Sequence, residues 1–152
     1  MSRAMNAMAR LAKVRQDMAM AKARRIASEF AQAKDLNEQV VQYADEYGDA
    51  AMQMGQQGQG ISVAMLRDTM AFRAKLLAGA KEQELATAHM YRQLQEANKA
   101  ALSAKMKSQG LDRAVARRKK LAEQEEQQAE WQEIEDAFSH RKSPFSDTPA
   151  KG

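Results

Sequence analysis

At 152 residues the chain is at most one ordinary domain, and with 5% aromatic residues it lacks the large side chains that fill a wide globular core. Charged residues make up 29% of it, for a net charge of +4, and the absence of cysteine excludes disulfides and thiolate catalysis. No apolar run approaches the ~18 residues of a membrane span.

The start, Met1 to Lys13, has no apolar core of the kind a secretory signal needs. It reads as the first turns of a basic helix, and its lack of acids also suits a mitochondrial-type presequence. A helix is expected over about 5–54, because this stretch is free of proline and rich in Ala, Gln, Glu, Lys, Arg and Met. Near its end Leu36, Val40, Tyr43, Tyr47, Ala50 and Met54 recur at steps of four and three, the spacing of a heptad seam.

The next stretch, 55–60, holds Gly55, Gly58 and Gly60 and reads as a bend. Gly55, Gly60 and Ser62 also fit the phosphate-binding pattern G-x-x-x-x-G-K-[ST], but Ile61 stands where the phosphate-reaching lysine belongs. A phosphate loop would also follow a short β-branched strand, whereas a helical heptad precedes this one. The spacing therefore favours the bend.

A second helix is expected over about 62–140, with Ser62 as its N-cap. Gly110 inside it either is tolerated in a continuous helix or caps one helix before Asp112 opens another, giving a three-helix bundle; the continuous helix is the preferred reading. The last stretch, 141–152, is polar, contains Pro144 and Pro149, and is expected to be disordered. The expected fold is all-α: a long antiparallel two-helix coiled-coil hairpin over 1–140, with the second helix overhanging. A pivot at Gln57 or Gly58 sets residue i near about 116 minus i, so the chain after about Val115 projects past the N-terminus.

Charge is laid out in blocks. Residues 1–34 carry eight bases and two acids, 35–66 five acids and no base, 91–120 nine bases and two acids, and 121–138 seven acids and no base. In a hairpin the two basic blocks lie together at the open end, a repulsive arrangement that either a partner or solvating counterions must relieve.

No catalytic, cofactor or metal site is expected. His89 and His140 are far apart on one helix, no His pair has metal-ligand spacing, and Glu123, Glu125, Glu126, Glu130 and Glu133 read as solvated carboxylates. The run Arg113, Arg117, Arg118, Lys119, Lys120 would suit phosphates, yet no zipper or aromatic interleaving accompanies it and acids follow at once, so nucleic acid is the least favoured partner.

The chain resembles the FliJ family of flagellar export proteins and, more distantly, YscO-type proteins of virulence secretion. The resemblance rests on length, the two-helix plan, Tyr43-x-x-Glu46-Tyr47 ahead of a glycine-rich bend ending Gly60-Ile61-Ser62, and a charged C-terminal stretch with Glu135-Asp136-Ala137-Phe138. It implies a non-enzymatic cytoplasmic accessory of the type III export apparatus, peripheral at the inner membrane. Such a protein is an antiparallel coiled coil whose open end enters the hexameric export ATPase and which also contacts the membrane export gate and export chaperones. It implies no small-molecule substrate and no cofactor. The family's gate-binding patch has Phe, Leu, a small residue and His at spacings of four, three and four; here that register holds Phe72, Leu76, Gly79 and Gln83, the last two departing from it. The ring-facing residues would be Arg3, Arg10, Arg113, Arg117 and Arg118.

From the residues alone, Met65, Thr69, Phe72 and Leu76 form one stripe, and Leu66, Met70, Arg73, Leu77 and Ala80 another offset by one. One partner helix covers only one of them well. Phe72 and Leu76 are thus either an exposed anchor pair or part of a broad seam. A homo-oligomeric coiled coil without an export role is the reading from another class.

Overall fold

The computed structural model describes residues 2–56 and 62–146, with side chains described over 3–56 and 62–140. They form two α-helices, α1 (Ser2–Gln56) and α2 (Val63–Ser146), the all-α helical hairpin expected. Both helices run further than the sequence spacing suggests. α1 takes in Gly55 and Gln56, so the first residues of the expected bend are helical, and positions 57–60 lie outside the described residues. With helix rather than strand leading up to Gln56, the phosphate-loop alternative loses the strand it needs.

The Ser62 cap is present: its Oγ accepts the Met65 N–H at 3.1 Å, while its carbonyl accepts the Leu66 N–H at 3.0 Å. α2 then runs unbroken through Gly110, so the three-helix alternative does not form. It continues past His140 to Ser146, which makes the first half of the expected tail helical; 147–152 lie outside the described residues.

Two compact units divide the chain. The first, Val14–Lys105, contains lengths of both helices running antiparallel. Phe30 packs on Tyr91 with ring centroids 5.5 Å apart, Tyr47 meets Phe72 edge-on at 5.2 Å, and Arg73 reaches Asp45. Each α2 partner lies a few residues beyond the one that a pivot at Gln57 or Gly58 would give, so the expected register is corrected by about one helical turn.

The seam is corrected too. Leu36 and Tyr43 are 61% and 52% exposed, whereas Ala23, Ala44, Ala51, Ala80 and Ala97 are buried. Val40 is half-buried as expected, but the steps of four and three otherwise run one residue on from the large apolar side chains, through Asn37, Val41, Ala44, Gly48 and Ala51. Helix axes come closest where side chains are small. The helices therefore close on alanines, and bulky residues are left on the flanks, where Tyr43 stacks on Tyr47 at 6.2 Å.

The second unit joins Met1–Lys13 to Met106–Gly152. Here Met5, Ala9 and Ala12 of α1 and Leu111, Ala114 and Val115 of α2 are partly covered, and Ser108 is buried. From 116 to 140 every residue is exposed, although the start of α1, at Met5 and Asn6, still flanks α2 as far as Glu125.

Candidate functional site

The register that the family resemblance assigns to an export gate falls at the edge of the first unit's seam. Phe72 is 43% exposed and holds Tyr47 with its ring, so it is neither free nor fully buried. Leu76 is half-buried, one heptad step from half-buried Arg73 and buried Ala80, and belongs to the seam rather than to an open patch. Gly79 and Gln83 are exposed. Of the four positions, only Phe72 presents an apolar surface outward.

Arg3, Arg10, Arg113, Arg117 and Arg118 all belong to the second unit, and all are exposed. None has an ion pair or hydrogen bond among the described residues. Arg118 helps line a shallow groove with Met5, Asn6, Val115, Leu121 and Ala122, where the start of α1 rests against α2. The unit therefore gathers cations from both ends of the sequence, none of these five in an ion pair among the described residues, with Glu125 lining the same groove as Arg118. That is a surface able to take an acidic partner.

Beyond this groove lies a feature that the sequence reading did not single out. Trp131, Ile134 and Phe138 are 66%, 48% and 59% exposed and follow one another at steps of three and four, so they share one helix face. Their spacing was visible in the sequence, but the dominant signal there is the acid-rich composition. Glu123, Glu125, Glu126, Glu130 and Glu133 are exposed, as expected of solvated carboxylates.

His89 sits beside Gln93, their Nε2 atoms 3.4 Å apart. Among the described residues no three His, Cys, Asp or Glu side chains gather to hold a metal ion, and no helix is long and apolar enough to cross a membrane. Comparison with protein-family models, curated proteins and solved structures returns no match.

Proposed function

We propose that this chain is a non-enzymatic interaction protein of the type III export apparatus, a coiled-coil stalk that couples the hexameric export ATPase to the membrane export gate and to export chaperones. The observation that carries this reading is the second unit's exposed length of α2, with Arg3, Arg10, Arg113, Arg117 and Arg118, none in an ion pair among the described residues, at its base and seven acids along its shaft. A single charged helix emerging from a paired one is suited to entering a ring, where fixed charges of opposite sign steer and orient it. On this reading the protein is cytoplasmic, held at the inner membrane by its partners, and Phe72 with the flanking Gly79 and Gln83 meets the gate. A virulence-type secretion stalk is the alternative within the same class.

The deciding experiment is affinity capture of the full chain from a motile bacterium, followed by capture of a variant with the five arginines changed to glutamate. The export ATPase should accompany the parent and be lost from the variant, with helix content unchanged by circular dichroism. Capture that brings no export ATPase with the parent overturns the reading.

A further inference from the structure

We propose that residues 113–138 of α2 pair antiparallel with the same segment of a second copy of this chain. The inference stands on the second unit alone and does not rest on the export reading. Counting back from Phe138 in alternating steps of four and three gives Phe138, Ile134, Trp131, Gln127, Gln124, Lys120, Arg117 and Arg113. These positions share one helix face over about four heptads, but only Trp131, Ile134 and Phe138 are apolar, so what selects the pairing is the order of charges and rings along the face rather than an apolar seam. It lies wholly in the second unit, all eight residues are exposed, and none of them lines the groove occupied by Met5 and Asn6.

The stripe is apolar at one end, amide in the middle and cationic at the other. Against itself in the antiparallel sense, each layer meets its complement: Gln124 faces Gln127, Lys120 faces Trp131, Arg117 faces Ile134 and Arg113 faces Phe138. Two of these layers place a cation on an aromatic face, and each occurs twice by symmetry. The arginine and lysine stems cover the apolar rings while their heads reach outward. There they meet the acids that flank the partner's aromatic end, with Lys120 beside Glu130 and Arg117 beside Glu135.

Charge also fixes the direction. A parallel pair would set five bases of 113–120 against five bases and the seven acids of 121–138 against seven acids. The antiparallel pair sets bases along acids, with one kind of like-charge contact, Glu123 against Glu130, which occurs twice by symmetry, as its cost. The central glutamines form a polar layer, which holds register at some expense of stability. A pair of this kind covers Arg113 and Arg117, so it and the ring-bound state would exclude each other.

The test uses the full chain in low salt, where screening is weakest. Sedimentation equilibrium should give a concentration-dependent dimer. Lys120→Glu should weaken it about tenfold, since it removes two cation–aromatic contacts and adds like charges. Adding Glu130→Lys to that variant should restore most of the loss. The chain has no cysteine, so direction can be mapped cleanly. A mixture of Asp112→Cys and Ser139→Cys proteins should be joined by a short bismaleimide, while Ser139→Cys alone should not be. A monomer at every concentration, a dimer indifferent to Lys120→Glu, or ready joining of Ser139→Cys to itself overturns the proposal.

Discussion

The Arg73 guanidinium donates through Nη2 to Asp45 Oδ1 at 3.2 Å, and its stem crosses directly over Gly48. An added Cβ at Gly48 would stand 3.0 Å from both Arg73 Cδ and Nε, so glycine makes room for the arginine to span the seam. The arrangement is imperfect, because Arg73 Nε is buried with no hydrogen-bond partner. With the two side chains 36% and 57% exposed, the ion pair is largely screened by water. Asp45→Ala should therefore cost less than about 1 kcal/mol. Arg73→Met, which also removes the unpaired donor, should be neutral or slightly stabilising. Heat denaturation followed by circular dichroism measures both, and a large loss in the methionine variant would show that the pair matters far more than its exposure implies.

Phe72 and Leu76 separate into two roles, and single substitutions should expose the difference. Leu76→Ala removes a half-buried seam side chain and should cost roughly 1–2 kcal/mol, about half of a fully buried leucine. Phe72→Ala gives up mainly its edge contact with Tyr47 and should cost about 1 kcal/mol. A binding assay with a candidate gate protein is then interpretable only for Phe72, because a loss in the Leu76 variant mixes binding with stability. Equal costs at the two positions would contradict the exposure difference.

The helices, the cap at Ser62 and the continuity through Gly110 were legible in the sequence because each depends on local propensity: no proline for over a hundred residues, and one hydroxyl ahead of a helical run. The phase of the seam was not. Heptad reading gives weight to large apolar side chains, so Leu36 and Tyr43 look like core, yet a close alanine seam puts Ala44 and Ala51 inside and leaves those residues on the outside. The register went with the phase, while for Leu76 the sequence left both an open patch and a broad seam possible, and its half-burial favours the seam. The five arginines, by contrast, are exposed as their charge requires.

Gly110 tests the helix itself. A Cβ at this position meets nothing within 4 Å, so Gly110→Ala keeps every contact and gains the full helix-propensity difference, about 1 kcal/mol. Gly48→Ala has the same gain but must displace Arg73, so its net effect should be smaller by several tenths of a kcal/mol or more. Ser62→Ala should cost about 1 kcal/mol by removing the acceptor for the Met65 N–H. Thermal melts of the three variants should rank Gly110→Ala highest and Ser62→Ala lowest. If Gly48→Ala matched Gly110→Ala, Arg73 would be free to move at no cost.

Salt should stabilise the second unit. Arg3 and Arg10 of α1 belong to one compact unit with Arg113, Arg117 and Arg118 of α2, and none of the five has an acidic partner among the described residues. Like charges held together oppose folding, and at about 0.15 M salt the screening length falls to roughly 8 Å, short enough to weaken that opposition. For the unpaired chain, at a protein concentration too low for self-association, the apparent melting temperature should therefore rise between low salt and about 0.15 M. The gain should largely disappear in the Arg3→Gln, Arg10→Gln double variant, which should also start out more stable at low salt. Probes within the unit, such as tryptophan fluorescence from Trp131 for its uncovered shaft and a label near Met5 for its paired base, separate the two regions. The shift should be confined to the paired base, because the shaft has bases followed by acids along one helix and no second basic segment beside it; an equal shift at Trp131 would place the repulsion elsewhere.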